Sequence, residues 1–186
     1  FSAVFYNKKM NLKTLSLILA VGYLITRATR KKGVMLSKNF SLDEFTKSRT
    51  AIRLNIDNKP GVMEIANIQA LVDNVLQPLR DAMGFPIIIG SGYRSQELNQ
   101  TIGGAYASQH MAKNGAAADI DVGNKNRQVY DYIKNNLPFD QLIYEAGNPD
   151  LSNPSANPGW VHVSYKSAGN RYQVLQYIPG QGYKDI

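Results

Sequence analysis

The sequence predicts an α+β domain preceded by a basic, apolar leader. Three observations carry that expectation. A helical run with apolar residues every three or four positions occupies residues 60–83. At least four short segments with period-two alternation crowd the second half of the chain, and no internal repeat joins the two halves. Helices segregated from a small, largely antiparallel sheet define that class.

The 186 residues, 44% hydrophobic, suffice for one domain with a real core and an appendage. Cysteine is absent, which excludes thiol nucleophiles, cysteine-ligated zinc and disulfides. The net charge of +7 is unevenly spread: residues 1–38 hold eight of the 21 basic residues and no acidic one. The remainder carries 13 basic against 14 acidic residues, so it offers no phosphate-tracking surface, and nucleic acid is not an expected partner.

The leader, residues 1–35, contains LSLILAVGYLIT at 15–26. Twelve residues are short against the ~20 of a spanning helix, and RATRKK follows where a cleaved signal would show small residues. The segment fits a short membrane anchor or an uncleaved signal, giving possible membrane contact. Were Met10 or Met35 the true start, part or all of it would fall away.

Along the domain, Ser41 and Glu44 form a capping-box pattern in NFSLDEF. In the next helix Pro60 suits the first turn, Ile65, Ile68, Val72, Val75, Leu79 and Met83 form the core stripe, and Gly84 ends it. Pro78 should kink or break its last turn. FPIIIGSGYRS reads as a strand leaving through glycines, with Ser95 capping a helix over QELNQ, and IGGAYAS as a loop. AAADIDV is strand-like, with Asp119 and Asp121 on one face. NRQVYDYIKNNL is a second helix candidate. FDQLIYE, WVHVSYK and RYQVLQYI are further strands, the last two joined by SAGN as a hairpin turn. AGNPDLSNPSANPG, with three prolines, must be a loop.

Period two puts Trp160, His162 and Ser164 on one strand face, and Gln141, Ile143 and Glu145 on one face of another. With His110 beside AAADIDV, the two histidines of the chain and the carboxylates of Asp119, Asp121 and Glu145 converge if these strands are neighbours. Two histidines and one carboxylate make a three-ligand zinc site with a fourth position for water, and a further carboxylate can accept that water's proton. Ala116 to Ala118 would allow close packing beneath it.

SGYRSQELNQTIGGAYASQH, GAAADIDV, FDQLIYE and WVHVSYK, in that order, resemble the zinc D-Ala-D-Ala carboxypeptidase family. That family includes D,D-carboxypeptidases, vancomycin-resistance D,D-dipeptidases and phage L-alanyl-D-glutamate endolysins. The similarity is strongest to its small single-domain branch, which opens with a stretch like NFSLDEFTKSRTA, and it runs from Leu36 to Tyr165. It implies a hedgehog-type or D,D-peptidase-like fold over residues 36–186 and one Zn2+ per chain. The family pattern maps the zinc ligands onto His110, Asp119 and His162, with Asp119 preferred to Asp121 because it stands four residues after Gly115.

Asp121 would then orient a ligand from behind. The nine positions from His110 to Asp119 exceed the family's usual interval by two, which an enlarged turn at Asn114-Gly115 absorbs. Many relatives carry a glutamate where this chain has Gly159, whereas the small branch ends the preceding strand with one, which maps the general base onto Glu145. Arg94 matches the arginine that holds substrate, as a planar guanidinium can. Ser108 and Gln109 would line the pocket, with Trp160 and Tyr93 as aromatic walls.

The resemblance implies hydrolysis of peptide bonds in peptidoglycan stem peptides by a zinc-activated water, carried out by a monomer. The rival is a zinc-containing module that binds cell wall or protein without turnover. No serine has a nucleophile-elbow or Ser-x-x-Lys context, which argues against acyl-enzyme chemistry. The expected location is the cell envelope, facing the wall, with a phage lysis or virion-associated role as the alternative. The Pro-rich loop at 146–159 is expected to shape the choice between a terminal D-alanine and a bond inside the stem.

Overall fold

The computed structural model describes residues 33–186, and the leader expected at 1–35 lies, but for its last three residues, outside them. Among the described residues no helix is long and apolar enough to cross a membrane. The element order is α1 (Leu42–Thr46), α2 (Arg49–Leu54), α3 (Val62–Leu71), a π-helical turn (Val72–Leu76), α4 (Gln77–Met83), β1 (Ile89–Ser91), α5 (Gln96–Thr101), β2 (Ala116–Ile120), α6 (Asn126–Asn136), β3 (Gln141–Glu145), β4 (Trp160–Tyr165), β5 (Gln173–Ile178) and β6 (Gly182–Asp185). Six strands form one sheet in the order β1-β2-β4-β3-β5-β6, antiparallel except for the β3–β5 pair. The α+β class read from the sequence is thus the observed one.

Local signals explain the helices. Ser41 donates to Glu44 through both its backbone N–H (2.9 Å) and its hydroxyl (2.8 Å), which starts α1. Helix α3 begins two residues later than expected, with Gly61 as its N-cap and Pro60 outside it. Pro78 does not break the helix. It lacks the N–H that would reach back one turn, and the chain widens just ahead of it into a π turn in which Gln77 N–H donates to the Val72 carbonyl. Of the expected stripe Ile68, Val72, Val75 and Leu79 are buried, joined by Leu71 and Leu76, while Ile65 and Met83 at its ends are half-buried; Gly84 ends the helix at φ +70°.

These helices and α6 cover one face of the sheet. Ala116, Ala118 and Ile120 of β2, Val161 and Val163 of β4, and Leu142 and Tyr144 of β3 form the core with them. Each fully buried aliphatic side chain there contributes roughly 1.5–3 kcal/mol. Alternation sends the intervening residues to the other face.

Two connections differ from the sequence expectation. SAGN does not join a hairpin, because β3 lies between β4 and β5. The local turn is nonetheless tight: Asn170 accepts from the Lys166 N–H and donates to the Lys166 carbonyl, both at 2.9 Å. It carries the chain past the start of β3, where Arg171 is caught by the inaccessible carboxylate of Asp140 through its backbone N–H at 3.0 Å and its Nη2 at 2.6 Å. The sixth strand, absent from the sequence reading, pairs with β5 across a turn in which Gly180 and Gly182 have positive φ.

Burial raises the Asp140 carboxyl, but Arg171 and Lys166 outweigh it and hold the group at about 2, below its ordinary 3.8. The charge therefore stabilises the fold above about pH 4, and that contribution disappears as pH falls through about 2. Asp140→Asn should cost about 2–3 kcal/mol at neutral pH, because two cations lose their buried partner. Urea unfolding of both proteins at stepped pH should show this gap closing between about 4 and 2.

Candidate metal centre

The uncovered face of the sheet lines a cleft of about 1250 Å³. Its centre follows from strand register. Asp119 of β2 sits opposite His162 of β4, and His162 is flanked on its other side by Ile143 of β3. Glu145 ends β3 opposite Trp160, one diagonal step from His162. Each of these residues is on the open face because the pleat has a period of two.

His110 enters from a 3-10 turn, Gln109–Met111, whose first residue follows Ser108; the Ser108 hydroxyl accepts the His110 N–H at 3.3 Å. Arg94 N–H donates to the His110 carbonyl at 2.9 Å. His110 Nδ1 lies 2.7 Å from the Gly92 carbonyl. A carbonyl only accepts, so Nδ1 carries the proton and Nε2 presents a lone pair. Gly92 is itself required: a Cβ there would stand 2.7 Å from the Phe45 Cα, and the Tyr93 N–H donates to the Phe45 carbonyl at 2.7 Å. The packing of α1 on β1 thereby fixes the ring orientation of His110.

That lone pair faces Asp119 Oδ1 at 3.2 Å, and His162 Nδ1 faces the same oxygen at 2.8 Å. One donor atom from each of His110, Asp119 and His162 lies within 4.8 Å of the others. Two lone-pair atoms this close need a proton or a cation between them. Ligand atoms of a tetrahedral zinc site stand ~3.3 Å apart, so the donor set fits that ion in identity and separation. Burial raises the Asp119 carboxyl, yet His110 and His162 prevail and hold it far below the usual carboxylate range. It is an anion over the whole physiological range.

Asp119 uses its second oxygen elsewhere: Arg94 Nη2 donates to Oδ2 at 3.1 Å, and Arg94 Nε and Nη2 donate to Ser91 Oγ at 3.2 and 2.9 Å. Arg94 therefore steadies the carboxylate from the cleft wall. Glu145 is buried, and burial pushes its carboxyl up to about 7, with His162 lowering it and Asp119 raising it. The Gly159 N–H donates to the Glu145 carbonyl at 2.8 Å, so the two positions at which the resemblance allows a glutamate are backbone neighbours.

Ser108, Gln109 and Trp160 line the cleft, as the sequence suggests. Two expected site residues do not belong to it. Tyr93 is packed into the hydrophobic core, because the chain turns at Gly92 and drives the ring inward. Asp121 lies beyond the end of β2, where alternation no longer holds; it accepts from the Gly123 N–H and Asn126 Nδ2 and shapes the approach to α6. The Pro-rich loop 146–159 also stays away from the cleft wall: Asn126 donates to the carbonyls of Pro158 and Gly159, and Asn157 accepts from the Arg127 N–H. The walls come instead from residues 103–109, Leu175 and Tyr177 of β5, Tyr183 of β6, and Lys166 and Arg171. Of these, sequence reasoning named only Ser108 and Gln109; it missed the β5 and β6 residues, since β5 joins that face only once its pairing with β3 is known.

A protein-family model described as Peptidase M15 matches residues 38–149, which include Arg94, His110, Asp119 and Glu145 and stop short of His162. No curated protein matches the chain.

Purified protein should bind about one zinc ion per chain, measured by elemental analysis, with Asp119→Ala losing it. Arg94→Met should keep the site but weaken it by about 10- to 100-fold in a competitive chelator titration, because the carboxylate loses its support.

Proposed function

The chain belongs to the Peptidase M15 family, and on that footing we propose that it is a zinc-dependent peptidase that hydrolyses peptide bonds in peptidoglycan stem peptides. The observation that carries this reading is the lone pair of His110 Nε2, held toward Asp119 Oδ1 and His162 in an open cleft beside the buried Glu145. Zinc, when bound, supplies Lewis acidity to the scissile carbonyl and to the attacking water.

The chain's own groups would do the rest. His110, Asp119 and His162 hold the ion, and their ring and carboxylate orientations are set in advance by the Gly92 carbonyl and by Arg94. Glu145 takes the proton of the attacking water and returns it to the leaving amine. Its raised pKa suits a group that must both accept and donate near neutrality. Arg94 Nη1, which makes no hydrogen bond among the described residues, is available to a substrate carbonyl or carboxylate at the cleft wall. The cleft continues on both sides of the triad, from residues 103–109 to Arg171, so it admits a bond within the stem as well as a terminal D-alanine. Acting on this substrate places the protein at the cell envelope, whether anchored, exported or delivered by a phage.

Glu145→Gln keeps the size of the side chain and removes the base. It should retain zinc while kcat for release of D-alanine or stem fragments from purified peptidoglycan falls by about 10²- to 10⁴-fold. Undiminished turnover in that variant would remove Glu145 from the mechanism. Stoichiometric zinc with no cleavage by the wild type would favour a wall-binding module.

A further inference from the structure

The cleft carries a second charged cluster that the hydrolytic reading leaves unused. Asp140, at the entrance to β3, is wholly inaccessible and faces two cations. Arg171 satisfies it alone: Nε reaches both carboxylate oxygens at 3.1 and 3.0 Å, Nη2 adds a contact at 2.6 Å, and the Arg171 N–H adds another at 3.0 Å. Lys166 Nζ nevertheless lies 3.0 Å from the same carboxylate. The cluster is therefore positive by one charge.

Lys166 is the surplus member. An ammonium has three N–H donors, and among the described residues Asp140 is the one partner of this one. Its side chain is 20% exposed and lines the cleft, so the ammonium is not closed off from a ligand there. Lys166 and Arg171 both line the cleft that holds the histidines. Lys166 stands one residue past the end of β4 and four beyond His162, so its Cα is ~13 Å from that of His162 at about 3.3 Å per residue. That span is three to four residues of extended peptide.

We propose that Lys166, backed by Arg171, is an anion subsite of this cleft that takes a free carboxylate of the peptide substrate, three to four residues' length from the scissile bond. The proposal rests on the peptidase reading and narrows it to acidic peptides. Asp140 keeps the cations in place and Arg171 occupied, so that Lys166 arrives at the substrate pre-oriented and with donors free. A carboxamide at the same place offers no charge and brings donors of its own toward the ammonium, so it binds less well.

The test uses zinc-loaded full-length protein and stem peptides in which one carboxylate at a time is converted to a carboxamide. For wild type, kcat/KM should fall about tenfold for one particular amidation. Lys166→Gln should hydrolyse the acidic and amidated forms equally, at the wild-type rate for the amidated one, and Lys166→Arg should restore the preference. Thermal melts of the variants separate this from unfolding, since the Asp140–Arg171 pair is intact in both. Wild-type indifference to every amidation, or undiminished discrimination by Lys166→Gln, overturns the subsite. If wild type cleaves none of the peptides, the peptidase reading fails separately, and calorimetric binding of the same peptides decides the subsite. Preference for the acidic form that Lys166→Gln loses supports it, and equal or absent binding overturns it.

Discussion

The contact on which the site depends is one carboxylate oxygen, Asp119 Oδ1, shared between His110 and His162. Withdrawing a carboxylate from water is costly unless charge and hydrogen bonds replace the lost solvation. Arg94, itself held by the Ser91 hydroxyl, does so from one side, and the histidines from the other. None of these groups is on the same element as Asp119. The aspartate therefore draws together β2, β4, the turn at 109–111 and the exit from β1, and the fold has to be complete before the donor set exists.

The sheet makes this possible by being asymmetric. Its helix-covered face takes Ala, Val, Leu and Tyr side chains into the core, with Ala116 and Ala118 letting α3 approach β2. The other face turns Asp119, Glu145 and His162 to the cleft. A strand whose alternate residues are Val161, Val163 and His162, Ser164 has only one way to lie. The same alternation that buries the valines delivers the histidine to the cleft.

Much of this is written in local patterns. The α+β class, the capping box, the helix-ending Gly84 and the strand read over residues 116–122, which ends at Ile120, follow from period and spacing, whereas the shared face of His162 and Glu145 followed only once their strands were neighbours. The motif order supplied the pairing of His110 with Asp119, which periodicity alone left open against Asp121. What was not legible depended on long-range pairing. SAGN has the composition of a hairpin turn, and it does close tightly, yet β3 had already taken the place beside β4. Tyr93 and Asp121 illustrate the other limit. Alternation holds only while the chain is extended, and Asp121 sits after it ends at Ile120, while Tyr93, expected as a wall from the motif, packs into the core beside Gly92.

Asp140 and Glu145 show how these levels connect, since Asp140 immediately precedes β3 and Glu145 is its last residue. The strand has neighbours on both sides, so its register is set by two ladders at once. A slip of one residue would turn Glu145 and Ile143 into the core and bring Leu142 and Tyr144 to the cleft. Backbone pairing does not by itself forbid that slip. The Asp140 N–H and carbonyl bind the Ser164 carbonyl and the Gln173 N–H, while its carboxylate grips Arg171 and Lys166. These contacts hold one end of β3 to both neighbours. The opposite end then has one position open to it, with Glu145 across from Trp160 and beside His162. A buried ion cluster far from the reacting bond thereby sets where the carboxylate proposed as the base must stand.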